Sequence, residues 1–169
     1  GLELGVEIGA IRAALSGFSG VDRRFQVRGR ERGITVVDDY GHHPTEIRAT
    51  LAAAKLGKYR RILVVFQPHR YTRTRDLMDE FAGSFHQADA LFVLDIYAAS
   101  EAPIEGVTTP ALVERIRELG HRSVEYTPGL DDAVARVLAE AQDGDLVLTL
   151  GAGNVWQAGE RVLERLREG

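Results

Sequence analysis

The chain has 169 residues, of which 44% are hydrophobic and 27% charged, and its formal net charge is −4. These values are ordinary for one globular domain and give no global reason to expect nucleic-acid binding. No apolar run approaches the roughly 20 residues that a membrane span needs, and the absence of cysteine excludes disulfides and thiolate metal sites. No secretion signal is visible, so we expect a cytoplasmic protein that does not enter a membrane.

Five short apolar runs rich in β-branched residues predict strands. They are ITVVDDY (34–40), RILVVFQ (61–67), ALFVLDIY (90–97), SVEYT (123–127) and DLVLTL (145–150). Segments with apolar residues at three- and four-residue spacing lie between and after these runs and predict amphipathic helices. They are TEIRATLAAAKLG (45–57), TRDLMDEFAGSFHQA (74–88), TPALVERIRELG (109–120), LDDAVARVLAEAQ (130–142) and VWQAGERVLERLRE (155–168).

This alternation predicts a Rossmann-like α/β domain, a mostly parallel sheet with helices on both faces. RFQVRGRERGITVVDD predicts a hairpin around residues 29–33, which adds one antiparallel edge strand. Ahead of it, GVEIGAIRAALSGF has helical spacing and ends in a Gly/Ser-rich break. We therefore interpret residues 1–20 as the remnant of a preceding domain with its hinge, and residues 21–169 as the domain proper.

Ligands of open α/β sheets collect at the carboxyl ends of the strands. Polar residues follow four of the predicted strands, and we expect them to share one edge of the sheet. They are Asp38, Asp39, Tyr40, His42 and His43 after the first strand; Gln67, His69, Arg70, Tyr71 and Arg73 after the second; Asp95 and Tyr97 after the third; and Gly151, Gly153 and Asn154 after the fifth.

The first two clusters differ in how much they indicate. In DDYGHHP the aspartates could simply cap the helix that begins near Pro44, and that structural interpretation has about even weight. In QPHRYTRTRD, by contrast, Arg70, Arg73 and Arg75 are predicted at the start of a helix, where the helix dipole favours anions over cations. Their positions favour a bound carboxylate or phosphate, which a guanidinium group can pair at two points.

Three further patterns are weaker evidence for a functional site. GAGN has Trp156 where a dinucleotide fingerprint needs glycine, so its small residues favour close approach of a ligand or a neighbouring loop. The spacing of His42, His43 and His69 is not diagnostic of metal ligands, and no metal site is predicted. Arginines near the hairpin favour a hairpin face or hinge over nucleic-acid binding, because no aromatic residues interleave with them. These arginines are Arg23, Arg24, Arg28, Arg30 and Arg32.

DDYGHHPTEI, FQPHRYTRTRDL, DIYAASEAPI and GAGNVWQ, in this order, resemble the carboxy-terminal domain of the Mur ligases over essentially the whole chain. That family comprises ATP-dependent, amide-forming ligases of peptidoglycan synthesis. The QPHRYTRTRD segment favours the branch that joins L-alanine to UDP-N-acetylmuramate over the related muropeptide-recycling branch. Residues 1–20 then resemble the last helix and hinge of the central domain.

The resemblance implies a three-domain enzyme whose first domain binds the UDP-sugar and whose central domain binds ATP through a P-loop. The third domain closes over both and holds the amino acid. ATP and Mg²⁺ are the implied cofactors, with the metal bound mainly by the central domain. The lysines of this chain, Lys55 and Lys58, lack the P-loop context, so the isolated chain is expected to be inactive.

Residue by residue, the resemblance implies three groups of contacts. Asp39, Tyr40 and His42 would contact ATP, with Asp39 on the ribose hydroxyls. Arg70 and Arg73 would hold the alanine carboxylate or the charge developing at the reacting carbonyl. Tyr40 and His43 would lie beside the acceptor site, with Gly151 and Gly153 as further substrate contacts and Arg70, Arg73 and His43 as the catalytic set. Two alternatives stay open: a stand-alone module for nucleotides or small anions, and an interaction domain.

Overall fold

The computed structural model describes residues 5–10, 12 and 22–168. Its six strands form one sheet in the order β1-β2-β6-β3-β4-β5, in which β1 pairs antiparallel with β2 and all other pairs are parallel. The predicted fold class is confirmed. The strands are β1 Gln26–Glu31, β2 Ile34–Asp39, β3 Ile62–Phe66, β4 Ala90–Val93, β5 Val124–Tyr126 and β6 Leu146–Leu150.

The predicted edge hairpin is formed by β1 and β2, which a two-residue turn connects. Arg32 and Gly33 occupy the turn with φ values of 50° and 75°, and Glu31 pairs with Ile34 across it. Two positive φ values are typical of the tight turns that match the twist of a hairpin. A register shift between Val27 and Gly29 bends the edge strand.

Of the six helices within residues 22–168, five cover the two faces of the sheet. One face carries α1, α3 and α4 on a core of strand residues such as Val64, and the other carries α5 and α6 on a core that includes Val65. Strand side chains alternate between the two cores, which is why the central strands are apolar along their whole length. The helices are α1 Pro44–Lys55, α2 Tyr71–Asp76, α3 Met78–Ala82, α4 Thr109–Glu118, α5 Leu130–Glu140 and α6 Trp156–Glu168.

One predicted element differs from the structure, and another lies largely outside the described residues. The single helix predicted over 74–88 is two short helices, α2 and α3, because Leu77 leaves helical geometry with φ −120° and ψ 22°. The helix and hinge predicted for residues 1–20 lie largely outside the described residues. Of this segment the structure describes residues 5–10 and 12, and residues 8–10 and 12 are helical. Within the part of the chain that the structure describes, no helix has the length and apolar character to cross a bilayer.

Candidate functional site

The carboxyl ends of β2, β6 and β3 lie side by side, because β6 pairs in parallel with both of its neighbours. Asp39 is level with Leu150, and Leu150 with Phe66. The loop after β4 joins them through a backbone bridge between His69 and Tyr97. The polar segments that follow these strands therefore share one edge of the sheet. We call this edge the strand-end rim; it comprises residues 39–43, 67–73, 97 and 151–154.

Asp39 organises the rim at the end of β2. Its residue surface is 4% exposed, and each carboxylate oxygen accepts a 2.7 Å hydrogen bond, one from the amide of Phe25 and one from that of Gly41. These bonds fix the turn after β2 to the segment before β1. A carboxylate can accept about four hydrogen bonds, so acceptor positions remain, and the ribose contact stays a prediction.

His43 caps helix α1. Its Nδ1 accepts from the amide of Thr45 at 3.4 Å, while Glu46 accepts from the amides of His42 and His43 at 3.0 and 3.3 Å. Burial opposes ionisation of Glu46, but these amide bonds and the nearby charges of His42 and Arg24 outweigh it and lower the Glu46 pKa. The interpretation that the aspartate pair caps this helix is wrong, because a reciprocal capping box occupies that place. Nε2 of His43 remains for the predicted substrate contact.

Four aromatic rings form a row across the rim. The ring centroids of Tyr40 and His42 are 5.1 Å apart, those of His42 and His69 5.8 Å, and those of His69 and Tyr97 5.5 Å. Tyr40 and Tyr97 are 37% and 41% exposed at the two ends of the row. Partly exposed rings of this kind can pack against a planar ligand while their polar atoms hydrogen-bond. The row is the surface of the rim best suited to a base or an amide.

His69 holds the guanidinium group of Arg73 in place beside this row. Nη1 of Arg73 lies 3.3 Å from both Nδ1 and the carbonyl oxygen of His69. Burial lowers the pKa of His69, and the charges of Arg73, His42 and Arg70 lower it further. A neutral imidazole can accept from Arg73, so the guanidinium is held with donors to spare.

Arg70 is the more accessible cation of the rim. Its φ is 75°, a conformation uncommon for a non-glycine residue, and its amide donates to the carbonyl of Tyr97 at 2.8 Å. Half of its side chain is exposed, with Glu101 at 3.8 Å. Glu101 accepts from the amide and hydroxyl of Thr72 at 3.0 and 2.7 Å, and these bonds lower its pKa. Arg70 is therefore loosely paired and can receive an anion.

The structure places Arg70 at the N-cap of α2 and Arg73 at its third residue, as predicted, but α2 is only six residues long, so Arg73 and Arg75 also fall in its last turn. Because so short a helix sums few peptide dipoles, the dipole does not by itself favour a bound anion here. Nε of Arg75 bonds Asp76 at 2.7 Å, and both residues line a separate surface cleft with residues 77–80. The rim receives Arg70 and Arg73, and their anion contact stays a prediction.

The loop after β6, residues 151–154, is called the glycine loop, and it packs tightly against Gln67. A Cβ on Gly151 would lie 2.8 Å from the Gln67 carbonyl oxygen, and one on Gly153 would lie 2.4 Å from Gln67 Oε1 and 2.9 Å from the Tyr97 ring. Gln67 Nε2 donates to Asn154 Oδ1 at 3.0 Å, whereas Oε1 is buried without a partner among the described residues. Glycine is required because the chain itself makes the close approach.

Sequence reasoning left Arg23, Gln67 and Glu101 out of the proposed contacts. Arg23 was assigned to a hairpin or hinge, yet its guanidinium bonds the carbonyl oxygen of Gly151 at 2.6 Å. Glu101 lies in the loop after β4, which ends at Val93, and membership of a strand-end loop is the signal that could have identified it. Asp95, expected at the rim, instead accepts from the hydroxyl of Tyr126 at 2.6 Å, a bond that raises the pKa of Tyr126 to about 12.

Metal-ligating side chains are not grouped in the described ranges. Across residues 5–10, 12 and 22–168, no cluster of three or more His, Asp or Glu residues is placed to hold an ion. What the rim offers is therefore two guanidinium groups, an aromatic row and a close-packed glycine loop.

The mostly parallel sheet, with β6 between β2 and β3 and helices on both faces, defines an α/β domain of Rossmann type. Residues 23–153 match the family model described as Mur ligase, glutamate ligase domain, and the chain belongs to this family. The family resemblance seen in the sequence is confirmed.

Individual relatives agree with this assignment. The chain is 70% identical over 166 residues to the UDP-N-acetylmuramate–L-alanine ligase of Solibacter usitatus, covering 98% of this chain and 35% of that protein. The structure of the UDP-N-acetylmuramate–alanine ligase MurC of Thermotoga maritima matches with a TM-score of 0.79 at 27% identity, over 98% of this chain and 35% of that one. A murein peptide ligase of Psychrobacter arcticus matches with a TM-score of 0.72 at 26% identity, over 98% and 34%. The chain spans about a third of the length of these relatives.

Proposed function

We propose that this chain is the carboxy-terminal domain of an ATP-dependent ligase that joins L-alanine to UDP-N-acetylmuramate. The observation that carries the proposal is the 70% identity, over 98% of the chain, to a ligase of that name. The muropeptide-recycling alternative has weaker support, because ligases named for L-alanine from further bacteria match at 51% to 60% identity, whereas the murein peptide ligase matches at 26%. The proposed location is the cytoplasm, where ATP is available.

The proposed reaction has two steps. The carboxylate of UDP-N-acetylmuramate takes the γ-phosphoryl group of ATP, giving an acyl phosphate and ADP. The amine of L-alanine then attacks the acyl carbon, the amide bond forms, and phosphate leaves with the bonding electron pair. The surplus proton of the amine passes to a base or to water. Because this chain contains no P-loop sequence, we assign phosphate binding and most of the Mg²⁺ coordination to the preceding domains.

Arg70 and Arg73 are the proposed contacts for the alanine carboxylate. Arg70 is half exposed and 3.8 Å from its counter-ion, so a carboxylate can replace that weak pairing with a bidentate one. Arg73 is held by His69 and lies next to the aromatic row. Tyr40 and His43 are proposed to border the attacking amine.

The proposed ATP contacts are Asp39, Tyr40 and His42. Tyr40 and His42 present an aromatic surface suited to the nucleoside, and ATP supplies the phosphoryl group when bound. Asp39 fits less simply, because its oxygens already accept two amide bonds. Its proposed ribose contact uses the remaining lone pairs, and Gly151 and Gly153 are proposed to let substrate approach the loop backbone.

A chimaera tests the function directly. These 169 residues replace the corresponding third of the Solibacter ligase, and phosphate release is measured with ATP, UDP-N-acetylmuramate and each amino acid or short peptide in turn. We expect release that depends on all three substrates and prefers L-alanine. A folded chimaera that is inactive, or that prefers a peptide, contradicts the proposal.

The isolated chain provides the second measurement. A site shared between domains leaves each with part of the contacts, and each 1.4 kcal/mol lost weakens binding about tenfold. Titration with ATP should show millimolar affinity or none, and no phosphate release. Micromolar affinity would favour a stand-alone nucleotide module.

A further inference from the structure

Arg23 contacts the end of β2 and two residues of the glycine loop through one guanidinium group. Nε donates to Asp38 at 2.7 Å, Nη2 donates to the carbonyl oxygen of Gly151 at 2.6 Å, and Nη1 donates to that of Gly153 at 3.3 Å. The planar fork of arginine allows such divergent contacts, which a single ammonium group does not reproduce. Arg23 therefore connects the end of β2 with the glycine loop.

The backbone of the same residue contacts the rim at Tyr40. The carbonyl oxygen of Arg23 accepts from the amide of Tyr40 at 2.6 Å, and the guanidinium carbon lies 5.1 Å from the centre of the Tyr40 ring. Two residues on, the amide of Phe25 donates to Asp39. We call residues 22–25 the leading segment, since they precede β1. It is bonded to both ends of the Asp39–Tyr40 turn.

The leading segment adopts a conformation that needs these contacts. Arg23 has φ 57° and Phe25 has φ 43°, values that non-glycine residues rarely take. Such conformations persist where surrounding contacts over-determine them, and they concentrate at functional sites. Arg70, within the rim, and Ala99 and Ser100, shortly after Tyr97, also have positive φ.

The ion pair at the centre of these contacts is largely removed from water. Asp38 is 1% exposed, the side chain of Arg23 is 22% exposed, and the Thr149 hydroxyl donates to the second Asp38 oxygen at 2.7 Å. A buried carboxylate is costly without its partner. The position of the guanidinium is therefore fixed from the core side, and its other donors hold the loop.

We propose that Arg23 is a positioning residue: it fixes the glycine loop and Tyr40 relative to the leading segment, so that displacement of that segment is transmitted to the rim. The expected effect on kcat/KM rests on the proposed ligase function. The expected effect on hydrogen exchange depends only on contacts among the described residues.

Three variants separate this role from a merely stabilising ion pair. Arg23→Lys keeps a positive charge beside Asp38 but cannot reach both loop carbonyls at once. Asp38→Asn removes the ion pair and leaves the guanidinium donors to the loop. Arg28→Ala is the matched control, because Arg28 pairs with Glu160 on α6, outside the rim.

Residue-resolved hydrogen exchange of the 169-residue chain tests whether Arg23 holds the glycine loop and Tyr40. The reporters are the amides of Gly151 and Tyr40, which donate to the carbonyl oxygens of Asp39 and Arg23. We expect Arg23→Lys to accelerate both at least about tenfold, with a Tm close to that of the parent chain. Asp38→Asn should lower the Tm and affect the reporters less, and Arg28→Ala should change neither. Reporter rates in Arg23→Lys that equal those in Arg28→Ala overturn the proposal.

Steady-state kinetics of the chimaera test the effect of Arg23 on catalysis. Arg23→Lys should lower kcat/KM for ATP and for L-alanine together, by about tenfold, because both proposed subsites border Tyr40 and the glycine loop. Accelerated exchange with unchanged kinetics overturns the positioning role. If the parent chimaera is itself inactive, the proposed ligase function fails, and the exchange experiment still decides whether Arg23 holds the loop.

Discussion

The imidazole of His69 stacks on the phenol ring of Tyr97, with ring centroids 5.5 Å apart and planes within 9° of parallel. The same two residues form a backbone bridge, and the amide of Arg70 donates to the carbonyl of Tyr97. The loops after β3 and β4 are thereby joined at the rim. Because Arg73 lies against His69, the charge state of this imidazole affects the electrostatics of the rim around Arg73.

The first prediction concerns pH. Burial and the neighbouring cations lower the pKa of folded His69 below its ordinary value, so the unfolded chain binds more protons in the interval between the two pKa values. This contribution to stability is therefore present above the unfolded pKa, near 6.5, and is lost as pH falls toward the folded pKa. Thermal unfolding at pH 7.5 and 5.5 should show a smaller loss of Tm for His69→Gln than for the parent chain. An equal loss would contradict the assignment to His69, since buried His121 is retained in both.

The second prediction concerns the glycine loop. A methyl group at Gly153 would meet Gln67 Oε1 at 2.4 Å and the Tyr97 ring at 2.9 Å, so Gly153→Ala must displace one of them. Overpacking of this kind costs typically about 1–3 kcal/mol. Gly83→Ala is the control, because the nearest atom to its Cβ is 3.5 Å away. Chemical denaturation should show a lowered midpoint for the first variant and little change for the second. Equal midpoints would mean that the loop can move aside freely.

The third prediction concerns the far end of the sheet, where Asp145 is fully buried. Arg61 donates to both of its oxygens, at 2.7 and 3.3 Å, and the amide of Gln142 donates at 3.0 Å. Arg61→Ala leaves this carboxylate under-satisfied and should cost about 1–3 kcal/mol. Arg60→Ala removes a more exposed arginine, 3.7 Å from the same carboxylate, and should cost little. Comparable losses of unfolding free energy in the two variants would contradict this account.

The strands could be predicted because the central sheet is buried on both faces. Val64 and Val65 are successive residues that face opposite cores, so β3 reads as a continuous apolar run. The rim could be predicted for a topological reason, since parallel strands bring their carboxyl ends to one edge. Neither inference needs knowledge of side-chain contacts.

Part of what the sequence did not reveal depends on contacts between distant residues, and part on local geometry. Arg23 and Gly151 are 128 positions apart, and no local pattern relates them. His43 was missed as a cap because histidine is not among the usual capping residues, although Glu46 lies at the local spacing of a capping box. The break at Leu77 is equally hidden, because the apolar spacing continues across it.

The last prediction separates Arg73 from Asp39 in the chimaera. If Arg73 holds the alanine carboxylate, Arg73→Ala deletes a charge-assisted pair worth on the order of 1.5–3 kcal/mol. We expect kcat/KM for alanine to fall by roughly ten- to a hundredfold while the KM for ATP barely changes. Arg73→Lys keeps the charge but not the planar fork, and should recover only part of the loss. Steady-state kinetics with each substrate varied in turn measure both parameters.

Asp39→Ala should do the reverse, weakening ATP while leaving alanine nearly unchanged, because a ribose contact lies away from the attacking amine. The structure makes this a demanding test, since the same change also releases the amides of Phe25 and Gly41. Loss of that loop support alone would disturb Tyr40 and impair both substrates equally. Equal losses would therefore assign Asp39 to the shape of the turn and remove it from the ATP contacts. A selective loss for ATP, with the Tm of the chimaera preserved, is the result that the ribose contact requires.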